Sequence, residues 1–210
     1  MCEAIQTPSR SPRIDQRFLN SVPMLITPTQ AQKIFDEADC LFTAAEVDKA
    51  IDRVAEEINH ALHDKNPLVL CVMTGGIVPV GQILPRLSFP LSLDYIHVTR
   101  YVGDTTGGEL QWLVTPRTPL TDRVVLIIDD ILDEGQTIKA VIDDCKKANA
   151  RQVYSAVLVN KLHDRKADVK ADFIGLEVAD RYVFGYGMDY KGFLRNVPGI
   201  YAQRQGKDER

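Results

Sequence analysis

"VVLIIDDILDEGQTIKAV", residues 124–141, decides the fold. Val124 to Ile128 form an unbroken aliphatic run, as in a strand buried on both faces, and they lead directly into Asp129 and Asp130. Asp133 follows, and Gly135 and Thr137 belong to a turn that opens an amphipathic helix, "QTIKAVIDDCKKANA". Another apolar strand, "QVYSAVLVNKL" (152–162), comes next. Strand, helix, strand in this rhythm is the signature of a parallel α/β sheet. Ligands of such sheets lie at the carboxyl ends of the strands, which places Asp129 and Asp130 beside a site. Backbone N–H groups at a helix N-terminus hold anions, and Thr137 adds a hydroxyl. The stretch therefore offers acids to grip hydroxyls or a metal, and a cradle for a phosphate.

Working outward, "PLVLCVM" (67–73) is a second apolar strand, followed by "TGG". "SLDYIHVTRY" (92–101) alternates like a strand, and "LQWLV" resumes one after the loop "VGDTTGGE", which predicts a hairpin with a mobile tip. Upstream, "FTAAEVDKAIDRVAEEINHALHDKN" predicts a helix. Thr43 and Glu46 have capping-box spacing, Phe42 and Val47 are placed as a hydrophobic staple, and Val47, Ile51, Val54, Ile58 and Leu62 recur at helical intervals. "DFIGLEVADRYVFGYGMDYKGFLRNVPGIYA" is richer in aromatics and turns and predicts a smaller cap. The expected architecture is α/β: a three-layer parallel sheet over 24–163 with a loop at 100–112, and a hood over 164–210. Residues 1–23 are expected to be a loose leader, with Met24 as an alternative start.

The chain has 210 residues, 45% of them hydrophobic, enough for one domain with a sizeable core. Its net charge of −4 argues against a nucleic-acid platform, which needs a basic surplus, but leaves small anionic ligands open. Cys2, Cys40, Cys71 and Cys145 form no CxxC pair or zinc-like spacing and read as thiols of a reducing, cytoplasmic compartment. No apolar run approaches the roughly 18 residues of a membrane span. His60 and His63 read as a solvated helix face, since no acid or cysteine is spaced to complete a metal site with them.

An apolar strand ending in two aspartates also suits the magnesium-holding strand of P-loop nucleotidases. Those proteins need GxxxxGK[ST], and the nearest approach, "GIVPVGQI" (76–83), lacks the lysine and the hydroxyl. The whole pattern "DDILDEGQT" instead resembles the phosphoribosyl-pyrophosphate (PRPP) motif of type I phosphoribosyltransferases, and the chain from about Ile26 to Tyr201 is similar to the hypoxanthine-guanine branch of that family.

The resemblance implies that Asp129 and Asp130 hold the ribose hydroxyls of PRPP, and that Asp133, Glu134, Gly135, Gln136 and Thr137 surround its 5′-phosphate. Asp133 would face purine N7 as general base. Met73, Thr74 and Gly75, in "MTGG", match the pyrophosphate loop, and Arg100 and Tyr101 the start of a catalytic loop that closes over the site. Lys161 matches the lysine that contacts O6 of a 6-oxopurine. Tyr182 would stack on the base, Val183 would read its edge through backbone groups, Asp189 would lie near the base and a second magnesium, and Arg195 would bind pyrophosphate. Asp129, Asp130 and Asp189 are thus candidate Mg²⁺ neighbours, with Mg²⁺ the implied cofactor. The implied partners are PRPP and a 6-oxopurine, with no nucleic acid and no membrane, in a homodimer or homotetramer.

Three positions depart from the pattern: Glu134 replaces a threonine, Thr74 a frequent lysine, and Asp129 a glutamate. They make the site less positive, and Glu134 is expected to face outward while N–H groups bind the phosphate. Two other functions share the resemblance: a PRPP-sensing regulator, and the same enzyme with xanthine as preferred base. Adenine is disfavoured by Lys161, which donates to a 6-oxo group but cannot accept from a 6-amino group.

Overall fold

Both faces of the 124–128 segment are covered. Val124, Leu126 and Ile128 point to one side and Val125 and Ile127 to the other, and none is more than 1% exposed. The computed structural model describes residues 26–100 and 110–204; the leader, the Arg100 side chain, Tyr101 and the expected loop tip lie outside the described residues.

The described elements run α1 (Pro28–Glu37), β1 (Asp39–Thr43), α2 (Ala44–Leu62), β2 (Leu68–Met73), α3 (Ile77–Ile83), β3 (Ser92–Arg100), β4 (Leu110–Val114), β5 (Val124–Leu132), α4 (Gln136–Lys147), β6 (Gln152–Leu162), β7 (Phe173–Ala179), β8 (Val183–Phe184) and β9 (Gly199–Ala202). The main sheet has the order β4-β3-β2-β5-β6-β7. All its pairings are parallel except β3–β4, the hairpin expected from the alternating pattern. Helices α2 and α3 cover one face and α4 the other, giving three layers.

Helix α2 starts where the sequence places it. The Thr43 hydroxyl accepts from the Glu46 N–H at 3.4 Å, and the Glu46 carboxylate accepts from the Thr43 N–H at 2.8 Å. This reciprocal cap contributes about 1 kcal/mol. Val47, Ile51, Val54, Ile58 and Leu62 then lie buried against the sheet.

The hood is a three-stranded antiparallel sheet, β1-β9-β8. Its composition differs from the expected division at residue 163. β1 comes from the N-terminal side, while β7, beyond that boundary, is the edge strand of the main sheet. Arg181 holds this hood closed. Its guanidinium pairs with Asp39 of β1 at 2.5 Å and donates to the Gln203 carbonyl at 2.9 Å.

Candidate active site

Strand β5 carries its acids further than a strand end. Asp129 and Asp130 remain within it, 7% and 9% exposed, before the strand stops at Leu132. The Asp130 N–H donates to Asp129 Oδ1 at 2.9 Å, and the Ile131 N–H to Asp130 Oδ1 at 2.8 Å. Burial pushes both carboxyls above the usual range, and the neighbouring Asp130 charge pushes Asp129 further. Arg195 opposes this, with its guanidinium 3.9 Å from Asp130 Oδ2.

Three separate segments converge on Asp130. A Cβ on Gly75 would overlap the Asp130 carboxylate, and one on Gly187 (φ +109°) would overlap the Gly75 carbonyl. The turn after β2, the end of β5 and the hood therefore meet backbone to side chain, with no room for a methyl group. Met73 and Thr74 precede Gly75 in that turn, and the Met73–Thr74 peptide is cis.

Beyond Leu132 the chain turns through Asp133 and Glu134 to Gly135, whose φ of +78° is a left-handed conformation suited to glycine. A Cβ there would also approach Val169 to 2.6 Å. Helix α4 begins at Gln136 without a side-chain cap, and its first N–H groups have no intrahelical acceptor. A concavity of about 190 Å³ lies over them, lined by Asp129, Asp130, Asp133 and the residues from Glu134 to Thr137. Glu134 thus borders the concavity, and its carbonyl accepts from the Ala167 N–H at 2.7 Å. The Arg165 guanidinium lies within electrostatic reach of the Asp133 and Glu134 charges.

Asp133 and Lys161 are mutual partners. Lys161, near the end of β6 and 11% exposed in its side chain, places Nζ 2.7 Å from Asp133 Oδ2. The other carboxylate oxygen, Oδ1, is 2.7 Å from Nε2 of His163, a side chain only 4% exposed. Burial raises the Asp133 carboxyl, but the two donors outweigh it and hold the group below the ordinary carboxylate range. Lysine and carboxylate stand side by side, one a donor and the other an acceptor of hydrogen bonds.

His163 was not among the residues expected from sequence. Its signal, in retrospect, is the alternation Lys161–x–His163 at the exit of β6, which brings both side chains to one carboxylate. Asp133, His163 and Asp180 have ligand atoms within 4.8 Å of one another. Asp180, however, is paired with Arg165 at 2.8 Å, so this group is a hydrogen-bonded network already satisfied without a metal.

In the hood, Asp189 pairs with Arg195 Nη2 at 2.6 Å and accepts from the Gly192 N–H at 2.8 Å. Arg195 Nη1 donates to the Gly187 carbonyl at 2.6 Å, so one guanidinium links the hood to Asp130. Tyr182 is 49% exposed, edge-on to Tyr190 with ring centroids 5.0 Å apart. Its hydroxyl is pushed up by burial and by the Asp189 charge. Val183 is buried in β8, paired with Ala202. Contacts thus join the β5 acids to the β2 turn and, through Arg195, to Asp189, and join Asp133 to Lys161, with the α4 turn lining the same concavity as Asp129, Asp130 and Asp133.

A parallel sheet with acids at a strand end, a bare helix N-terminus and a hood defines a nucleotide- or sugar-phosphate-handling α/β protein. Comparison with known proteins makes the class specific. Residues 38–191 match the phosphoribosyl transferase domain family, and the chain belongs to that family. It is 32% identical to the hypoxanthine-guanine phosphoribosyltransferase of Bacillus subtilis, over 76% of this chain and 89% of that one. It is 31% identical to the hypoxanthine-guanine-xanthine phosphoribosyltransferase of Tritrichomonas foetus, over 82% and 94%. Among solved structures, a hypoxanthine phosphoribosyltransferase from Staphylococcus aureus superimposes with a TM-score of 0.77 at 25% identity, covering 82% of this chain and 95% of that one. Among the described residues, no helix is long and apolar enough to cross a membrane.

Proposed function

We propose that this chain transfers the phosphoribosyl group of PRPP to N9 of hypoxanthine or guanine, releasing pyrophosphate and forming IMP or GMP. The observation that carries the reading is the Asp133–Lys161 pair, at 2.7 Å, beside the α4 cradle. The relatives with hypoxanthine and guanine in their names support it. Xanthine is a compatible base, as the Tritrichomonas relative's name illustrates.

In this reading the 5′-phosphate lies against the N–H groups that open α4, with the Thr137 hydroxyl beside them. Asp129 and Asp130 accept hydrogen bonds from the ribose 2′- and 3′-hydroxyls, which relieves the cost of two adjoining buried carboxyls. The turn at Met73, Thr74 and Gly75 admits pyrophosphate by its small residues, and the Arg195 fork binds it. Tyr182 covers the base, and backbone groups at Val183, with Asp189 nearby, read its far edge. As N9 attacks C1′ and the C1′–pyrophosphate bond breaks, the N7 proton passes to Asp133 while Lys161 donates to O6.

The buried oxygen donors of Asp129 and Asp130, with Asp189 joined to Asp130 through Arg195, fit a hard divalent cation. Mg²⁺ bound there supplies neutralising charge for the pyrophosphate. The free thiols at Cys40, Cys71 and Cys145 support a reducing, cytoplasmic setting. A homodimer or homotetramer belongs to the same reading, supported by the exposed apolar side chains of Leu93, Tyr95 and Leu113 on the β3–β4 edge.

Asp133→Asn tests the chemistry. It is expected to keep PRPP binding and to lower turnover roughly 10²–10⁴-fold, the usual contribution of a general base. Turnover close to that of the unaltered protein would refute the role.

A further inference from the structure

We propose that His163 is a positioning residue for Asp133: a buried imidazole that fixes one carboxylate oxygen so that the other is aimed at the purine. The inference rests on the general-base reading of Asp133.

Asp133 needs such help. It lies in a turn rather than in a strand, and its side chain is 43% exposed. Lys161 steadies Oδ2, but Oδ2 is also where N7–H must arrive, and the Lys161 amine must then serve O6. A second partner that stays in place is required on Oδ1. His163 meets that condition. Its ring is buried, and both nitrogens are engaged: Nδ1 accepts from the Arg165 N–H at 3.1 Å, and Nε2 lies 2.7 Å from Asp133 Oδ1. A backbone donor on Nδ1 leaves the ring proton on Nε2, so Nε2 donates to the carboxylate.

Arg165, whose amide sets this tautomer, is itself tied by its guanidinium to Asp180 at 2.8 Å. The sequence Asp180–Arg165–His163–Asp133 is therefore a continuous set of contacts that ends on the base. The same bond favours the carboxylate anion, which keeps Asp133 ready to accept a proton. The charged groups around that carboxylate are Lys161 from β6, Arg165 and Lys166 from the segment after it, the adjoining Glu134, and Asp180, whose carboxylate lies within 4.8 Å and is paired with Arg165.

The test is steady-state nucleotide formation, with Mg²⁺, PRPP and hypoxanthine, by the full chain and by His163→Ala, His163→Gln, Asp133→Asn and the His163→Ala/Asp133→Asn double variant. His163→Ala is expected to lower kcat about 10–100-fold, as removal of an orienting partner does, with the KM for PRPP changed by no more than about twofold. The acid limb of its pH profile should move to higher pH, because Asp133 loses a donor to its anion. His163→Gln, whose amide N–H reaches the same oxygen, should recover most of the rate. In the Asp133→Asn background, His163→Ala should add nothing further.

A His163→Ala enzyme within about threefold of the original kcat, with an unmoved acid limb, would overturn the inference. So would an equal loss in the Asp133→Asn background, which would mean that His163 acts through the fold alone. Should His163→Ala fail to fold, His163→Gln decides: folded but slow overturns, folded and fast supports. Normal turnover by Asp133→Asn would instead bring down the general-base reading itself, an outcome distinct from the failure of positioning alone.

Discussion

Lys161→Met separates base recognition from every other property of the site. Methionine keeps most of the lysine's apolar stem and removes only the ammonium. Asp133, the partner, is 43% exposed, so water screens the ion pair and its loss costs at most about 1 kcal/mol of stability. For a chain of this length that is a fall of about 2–4 °C in Tm. The consequence for the base is larger. A hydrogen bond from a charged donor to O6 contributes roughly 1.5–3 kcal/mol, which corresponds to about 10–150-fold in kcat/KM for hypoxanthine. Adenine, with a donor in place of that acceptor, should lose little, so the hypoxanthine-to-adenine preference should collapse by a similar factor. PRPP affinity should stay unchanged. The assay is kcat/KM with each base, alongside PRPP binding by calorimetry and a thermal melt. Hypoxanthine kcat/KM within about threefold of the original, or an equal loss for PRPP, would refute the assignment of Lys161 to O6.

Two further outcomes follow from the same contacts. Gly75→Ala puts a methyl group where the Asp130 carboxylate lies, so Asp130 must move off the Ile131 N–H; about 1–3 kcal/mol of destabilisation and weaker PRPP binding are expected, and an unchanged melt together with unchanged PRPP affinity would contradict the packing. The Asp133 carboxyl, held below its ordinary range by Lys161 and His163 against the effect of burial, contributes stability above the ordinary carboxylate pKa, and that contribution is lost as pH falls through the depressed value. Removing Lys161 should therefore shift the acid limb of kcat/KM upward, and a limb that coincides in the two proteins would show that Asp133 does not govern it.

Much of the main sheet is legible in the sequence because its signals are local. The aliphatic run of β5 and the apolar stripe of α2 are decided by neighbours within a few residues, and the structure buries both as those patterns require. β1 is another matter. "DCLFT" is five residues long, and it becomes a strand only through pairing with Gly199–Ala202 at the far end of the chain. Sequence spacing carries no trace of that partner, which is why the hood was expected to be wholly C-terminal. The short α3 has the same difficulty, with Pro79 inside seven residues and its cover supplied by the sheet. In the site, the acids of "DDILDEGQT" announce themselves by standing directly after an unbroken aliphatic run. Lys161 gains meaning only through a resemblance to a family, since a lysine leaving a strand is an ordinary surface residue. His163 escaped because its alternation with Lys161 at the exit of β6 gains meaning only once the fold brings Asp133, thirty residues earlier in the chain, against its ring.

Nucleotide formation by the purified protein, with Mg²⁺ and PRPP and with hypoxanthine, guanine, xanthine and adenine offered separately, tests the central claim most directly. The account predicts IMP and GMP with release of pyrophosphate, and little or no AMP. PRPP binding without turnover of any base would contradict it, and would point to a PRPP-sensing protein that keeps the cradle of α4 but not the chemistry of Asp133.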